Sequence, residues 1–586
     1  MLVDIYVLLF IEVGVSLICF RWLRKSVYRV ATLFAAVVCT WSVIYAGYLI
    51  RMGTEALPRV LLPVVRDPVN AGRMIGGNLI KAPLASILLL GPSFLALGLL
   101  ISVMIRPRLA PYNRRRFTAR VAVCLAIALL ALAGRLYVGN VSEYGRNPHV
   151  RAVASLFHGR LEESKRRLPR FDELVLARRA GGANYNIVIV VLEGVQYAYT
   201  SLSKNGAAET PYLLSLAEQG VELANMRSSV THTTKSLFAM LSGRLPSASE
   251  DLAEAVPVLK PYASLATILH SEAGYRTAFF QSAQGDFESR PGLVHNLGFE
   301  KFWARDDLGD PNHYIYYLAC DEFALLNPVC EWIGGGDEPF LLTFLCSVTH
   351  DPYDVPEWYG QRAKEPQGRY RQTIEYTDAF LRELATRLNN LGIAGNTVLC
   401  VVGDHGEAFG EHGKGGHDQI PYDEVLRIPC CIRAPMLVQA GMKIIEPTSS
   451  IDLAPTLLGL LGFETIDAGF DGVDVLVRIP ENRRVYFSGW VREGPSGFVQ
   501  GDKKFVYDPI SKSLCFYDLA ADPGETRRID LPQEGADAIA ESIIAWRKNT
   551  VFRLGRTQRG RETLFEHWLV WWSSRVFVHA EYQDDL

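Results

Sequence analysis

Apolar positions are distributed unevenly along this chain, and their distribution divides it. Residues 1–20 carry only Asp4 and Glu12 as charges, and further apolar runs cover 30–50, 82–105 and 121–138, the last broken only by Arg135. Each run approaches the roughly 20 residues a helix needs to cross a bilayer core. Residues 1–140 are therefore expected to form a transmembrane region of about four helices. A cleaved signal peptide fits poorly, because a basic leader is missing and three more runs follow the first. Arg21, Arg24, Lys25 and Arg29 follow the first run, and Arg106, Arg108, Arg114, Arg115, Arg116 and Arg120 follow the third. Loops this basic stay on the cytoplasmic side. Both termini and everything beyond about residue 140 are then expected outside the cytoplasm. Residues 141–182 read as a polar, helix-patterned juxtamembrane connector.

Past residue 183 the pattern changes. Short apolar runs at 186–192, 275–281, 339–346 and 397–402 read as buried core strands. Helical spacing appears at 211–219, with Thr210 as a candidate cap, and again after 228, over 370–391 and after 449. Strands alternating with helices predict an α/β domain with a mainly parallel sheet, placed over 183–550. Alternating runs within 483–531 predict a small antiparallel C-terminal subdomain. Residues 551–586 are rich in Trp and Phe, and suit either the membrane interface or docking on the domain.

Composition refines this picture. At 586 residues the chain is too long for one ordinary domain, and its 49% hydrophobic content is concentrated near the N-terminus. A net charge of -3 gives no reason to expect nucleic acid as a partner. The ten cysteines include no CxxC pair. Cys320 and Cys330 suit a loop disulfide in an oxidising compartment, or two free thiols.

The chemistry collects at strand exits, where open α/β sheets place their ligands. Asp404 and His405 follow the 397–402 run, with His412 and His417 close behind, a donor set suited to a divalent metal. Glu193 ends the first strand, and His350 lies just beyond the 339–346 run. Thr231, His232, Thr233, Thr234, Lys235 and Ser236 precede an apolar helical stretch, where free N–H groups favour an anion such as phosphate.

In this order these segments resemble the alkaline phosphatase superfamily. They are most similar to its sulfatase-fold membrane branch: lipoteichoic acid synthases, phosphoglycerol transferases and phosphoethanolamine transferases. The resemblance rests on Asn186-Ile-Val-Ile-Val-Val-Leu-Glu193, Gly403-Asp404-His405-Gly-Glu-Ala-Phe-Gly-Glu-His-Gly, Ile451-Asp-Leu-Ala-Pro-Thr-Leu-Leu and Phe516-Tyr-Asp-Leu-Ala-Ala-Asp-Pro-Gly-Glu-Thr. It implies Thr233 as nucleophile, with Thr234 as the alternative. It implies one metal, zinc or manganese, on Glu193, Thr233, Asp404 and His405, and leaves a second metal open. His350, His417 and Lys235 would contact substrate, while His412 and His232 would have supporting roles. The sulfatase pattern Cys-x-Pro-Ser-Arg is not kept: Thr233 stands at the Cys position, Lys235 at Pro and Leu237 at Arg. With no Cys available to become formylglycine, a true sulfatase is disfavoured.

The implied activity is transfer of a phospholipid headgroup, phosphoglycerol or phosphoethanolamine, to a cell-envelope glycan or lipid through a phospho-threonine. The implied setting is the bacterial plasma membrane, with the catalytic domain outside. A membrane-anchored phosphodiesterase or sulfatase-like hydrolase shares the first half-reaction. An inactive lipid-sensing regulator is a third reading, disfavoured because nucleophile and metal ligands are all present.

Overall fold

The computed structural model describes residues 176–550 apart from a few loop positions, together with Ser26, Val30, Leu33, Trp41 and Tyr45, each helical. The four apolar runs, most of the connector and the aromatic 551–586 segment otherwise lie outside the described residues. Among the described residues no helix is long and apolar enough to cross a membrane.

An eight-stranded sheet organises the domain. Its strands in chain order are Asn186–Leu192 (β1), Val221–Leu223 (β2), Arg276–Gln281 (β3), Lys301–Trp303 (β4), Phe340–Cys346 (β5), Thr397–Gly403 (β6), Cys430–Arg433 (β7) and Met442–Ile444 (β8). In space they run β8-β2-β7-β6-β1-β5-β3-β4. β7 pairs antiparallel with both β2 and β6, and the other pairings are parallel, so the sheet is mixed. The short β2, β4, β7 and β8 were not read from the apolar pattern, because so few residues give no period to detect.

The central strand shows why β1 reads as a continuous apolar run. Ile187, Ile189 and Val191 enter the core on one face, and Val188, Val190 and Leu192 enter the core on the other. Successive strand side chains point to opposite faces, so a strand covered on both sides is apolar throughout. Each such residue contributes about 1.5–3 kcal/mol by burial.

Helices Pro211–Glu218 (α1), Thr233–Ser242 (α2), Leu265–Ala273 (α3), Arg290–Asn296 (α4), Leu326–Gly334 (α5), Pro366–Asn390 (α6) and Leu453–Leu460 (α7) accompany the sheet. Along α6, Tyr370, Ile374, Thr377, Leu381, Leu384 and Leu388 form one buried stripe. The cap of α1 differs from expectation. Thr210 accepts from Ser201 N–H instead, and the first-turn N–H groups of Tyr212 and Leu213 donate to Asp378 of α6 at 3.0 and 2.8 Å.

Strands Val485–Ser488 (β9), Ser496–Gln500 (β10), Lys503–Asp508 (β11) and Ser513–Asp518 (β12) form the expected C-terminal antiparallel sheet, in that order. Its covering helix, Gln533–Asn549 (α8), buries Ile543 against Phe498 and Phe505. A buried ion-pair network bonds this sheet to the main domain: Lys504 meets Asp423 at 2.9 Å and Glu525 at 2.6 Å, and Arg227 meets Asp423 at 2.6 Å. Cys320 and Cys330 are both free thiols; Cys320 is buried in the core.

Candidate active site

Three adjacent central strands deliver the site. Leu192 of β1 is in register with Gly403 of β6 on one side and Cys346 of β5 on the other. Glu193, Asp404 and Ser347 therefore leave the sheet at one level. Gly194 turns the chain with φ +69°, which a side chain would strain, and its N–H donates to Asp404 Oδ1 at 2.8 Å. His405 N–H donates to the same oxygen at 2.7 Å. Tyr370 of α6 braces the turn by donating to Gly194 O at 2.5 Å, and Thr349 donates to Glu193 O.

Thr233 opens α2 directly above these ends. Its Oγ1 lies 3.2 Å from His405 Nε2 and 3.4 Å from Glu193 Oε1. All four residues are almost wholly buried, with Asp404 at 0% and Thr233 at 5% exposure. The helix is pinned to the sheet by Ser236, whose hydroxyl donates to Asp404 O at 2.8 Å; Ser228 donates to the same carbonyl at 2.5 Å.

The protonation pattern follows from these partners. His405 Nδ1 lies 2.9 Å from Gly406 O, so it carries the proton and Nε2 presents a lone pair. Burial holds the His405 imidazole below its usual pKa, which keeps it neutral. Asp404 Oδ2 stands 3.4 Å from that lone pair, and both Asp404 Oδ2 and Glu193 Oε2 are buried without a hydrogen-bond partner. Burial, and then the neighbouring Asp404, push the Glu193 carboxyl up. Lone pairs facing one another in a buried space call for a cation between them. Among the described residues no three His, Cys, Asp or Glu side chains form a ready-made metal cluster. The fit thus rests on two carboxylates, one neutral imidazole and the Thr233 hydroxyl together.

The remaining sequence candidates separate into two groups. His417 joins the site: its ring stands 4.2 Å from that of His405 and 6.5 Å from that of His350. Burial alone would lower its pKa, but Glu407, bonded to Nδ1 at 2.8 Å, raises it to about 10, so this imidazole is cationic. His350 turns Nδ1 to its neighbour's carbonyl, Asp351 O, at 2.8 Å, and its loop is held by Tyr316, which donates to Ser347 O and His350 O.

Lys235 does not reach the site. Its fully buried ammonium donates to Ser247 O at 2.7 Å and pairs with Glu254 at 3.4 Å, so it is committed to the core beneath α2. His412 stacks on Tyr422 at 3.7 Å and pairs with Glu424 at 2.7 Å, a contact between loops. Thr234 donates to Glu288 Oε2 at 2.8 Å, away from the Glu193 and His405 pair that receives Thr233. His232 pairs with Glu288 at 3.3 Å and packs on Trp490, whose indole donates to Asp418 at 2.7 Å.

One residue at the site escaped sequence reading. Arg290, the first residue of α4, is 1% exposed, and its Nε and Nη1 have no hydrogen-bond partner. Burial pushes the guanidinium down, and the charges of Glu288, Glu193 and Asp404 oppose this. A buried Arg with N–H groups that no protein atom uses suits a tetrahedral oxyanion. Its only sequence signal is position, at the start of α4 just beyond the loop that leaves β3.

The chain is similar to known proteins. A family model described as Sulfatase matches residues 185–463. Over these residues, just under half of the chain, the protein is similar to that family. The chain is 24% identical to an ulvan-active sulfatase of Formosa agariphila, over 50% of this chain and 65% of that protein. Lipoteichoic acid synthase 1 of Bacillus subtilis is also 24% identical, over 48% of this chain and 46% of its own length. The chain thus spans from about half to 65% of these curated relatives. Among solved structures, an alkaline phosphatase superfamily protein from Vibrio parahaemolyticus superposes with a TM-score of 0.53, at 19% identity, covering 67% of this chain and 94% of that one. The lipoteichoic acid synthase LtaP of Listeria monocytogenes gives 0.51, also at 19% identity, covering 65% of this chain and 98% of that one.

Proposed function

We propose that this protein is a membrane-anchored, metal-dependent transferase. It moves a phospholipid headgroup, phosphoglycerol or phosphoethanolamine, to a cell-envelope glycan or lipid through a phospho-threonine. The observation that carries this reading is the Thr233 hydroxyl, held at α2's N-terminus 3.2 Å from His405 Nε2 and 3.4 Å from Glu193 Oε1. Thr233 stands where a sulfatase would need its formylglycine precursor, and threonine cannot be converted to that group. The matched lipoteichoic acid synthases favour phosphoryl transfer, and the apolar N-terminal runs suit a lipid donor at the extracytoplasmic face of a bacterial plasma membrane.

Glu193, Asp404, His405 and Thr233 would hold the divalent metal, zinc or manganese. When bound, a divalent metal lowers the pKa of a hydroxyl ligand and makes it a competent nucleophile at neutral pH. Thr233 Oγ1 attacks phosphorus, and the bond to the diacylglycerol oxygen breaks. Arg290, His350 and the cationic His417 would supply donors and positive charge that offset the charge on the transferring oxygens. An acceptor hydroxyl then attacks the phospho-threonine and restores Thr233.

The test is transfer from headgroup-labelled phospholipid by the full-length protein and by Thr233→Ala. Label on the acceptor fraction with wild type, and none with the variant, supports the reading. Transfer retained by Thr233→Ala overturns it.

A further inference from the structure

Two consecutive non-glycine residues, Glu288 (φ 52°, ψ 35°) and Ser289 (φ 57°, ψ 36°), adopt the left-handed conformation immediately before α4. Residues with a side chain rarely adopt it, because Cβ crowds the following carbonyl oxygen. What this turn achieves is visible in its side chains. Glu288 Oε1 meets His232 Nε2 at 3.3 Å, and Oε2 accepts from Thr234 Oγ1 at 2.8 Å. The same Oε2 stands 3.7 Å from Arg290 Nη2. One carboxylate therefore touches both chain neighbours of Thr233 and the guanidinium that feels the charges of Glu193 and Asp404.

We infer that Glu288 is a positioning residue that fixes Arg290 relative to Thr233. It pairs with the Nη2 side of the guanidinium, whose Nε and Nη1 have no protein partner. Its bonds to His232 and Thr234 tie that guanidinium to the first turn of α2. Attacking oxygen and oxyanion clamp, which come from segments more than fifty residues apart, are thereby held as one unit. Glu288 does not touch the reacting atoms; it acts through Arg290. A side chain of the same size without the charge keeps the turn but releases the guanidinium, which then samples other positions.

The inference rests on the phosphoryl-transfer reading, and its test separates the two. Glu288→Gln, Arg290→Gln and the double variant would be measured in the full-length protein for transfer from labelled phospholipid and for calorimetric binding of inorganic phosphate. Glu288→Gln should lower kcat/KM about tenfold in the wild-type background and change it less than twofold on top of Arg290→Gln, the mark of residues acting as one unit. Glu288→Asp, which keeps the charge, should recover part of the loss. Phosphate binding should weaken in Glu288→Gln in parallel. Additive losses, or a Glu288→Gln enzyme within twofold of wild type, would overturn the inference. Wild type that binds phosphate but transfers no headgroup, with binding still weakened by Glu288→Gln, would overturn the transferase reading and leave the positioning role standing.

Discussion

Ser236 donates its hydroxyl to the main-chain carbonyl of Asp404 at 2.8 Å, across 168 residues of sequence. This bond joins the helix that carries Thr233 to the strand end that carries Asp404 and His405. It lies one helical turn from Thr233, so the nucleophile is referenced to its partners by the helix's own geometry.

Removing that hydroxyl tests the coupling. Ser236→Ala leaves the Asp404 carbonyl with Ser228 as a donor at 2.5 Å, so the fold survives with a loss of about 1 kcal/mol. Activity should fall further than stability implies, about tenfold, as it does when groups that orient ligands are removed. Steady-state kinetics beside thermal unfolding would check this; unchanged kinetics would show that the bond serves packing alone.

Arg290→Met should separate function from stability. The guanidinium is buried with two unpartnered nitrogens, so an apolar side chain of similar length relieves a desolvation cost. The unfolding temperature should stay level or rise, while kcat/KM falls roughly 10- to 100-fold through loss of charged hydrogen bonds to the oxyanion. A variant that is both unstable and active would contradict the assignment.

Chelation should act on the fold as well as on the reaction. With no cation, Asp404 Oδ2, Glu193 Oε2 and the His405 lone pair face one another uncompensated. Dialysis against a chelator should lower the unfolding temperature, and one equivalent of zinc or manganese should restore it. Asp404→Asn should be blind to both treatments, and elemental analysis should find its metal content depleted.

Glu322 predicts a loss of stability as pH rises from 4.5 toward 8. Its Oε1 accepts from Val348 N–H and Ser282 Oγ at 3.1 Å each, supporting the loop that carries His350. Burial raises this carboxyl from 4.5 to about 8, so the folded protein holds a proton that the unfolded chain releases near 4.5. Stability from this group is complete below pH 4.5 and is lost as pH rises toward 8. Glu322→Gln, which mimics the protonated form, should flatten that part of the profile in denaturation series at pH 5, 7 and 9. An unaltered slope would rule out Glu322 as its source.

Gly243 ends α2 in a left-handed cap at φ +66°, and a Cβ there would stand 2.7 Å from Phe470 Cδ1. Gly243→Ala should cost about 1 kcal/mol from backbone conformation, with a further contribution from the clash. Denaturant midpoints would measure it, and a neutral substitution would show that the ring moves aside freely.

The sequence by itself determined the α/β class, the four core strands at 186–192, 275–281, 339–346 and 397–402, and the antiparallel C-terminal sheet. These were legible because a strand covered on both faces must be apolar throughout, and a half-covered one must alternate. It also marked Glu193, Thr233, Asp404 and His405, which sit beside strand and helix ends where chemistry is exposed. Tertiary structure alone decided what those residues meet. The apolar pattern does not say that β7 runs antiparallel between β2 and β6, because burial is indifferent to strand direction. Lys235 looked ready for phosphate from its place in the motif, yet one residue's turn around α2 carries its ammonium inward to Glu254. Arg290 and Glu288 carry no local signal, because their roles arise from a left-handed turn and from partners far away in sequence. Local periodicity records which face of an element is buried; which side chains converge on one point depends on distances between elements that only the folded chain sets.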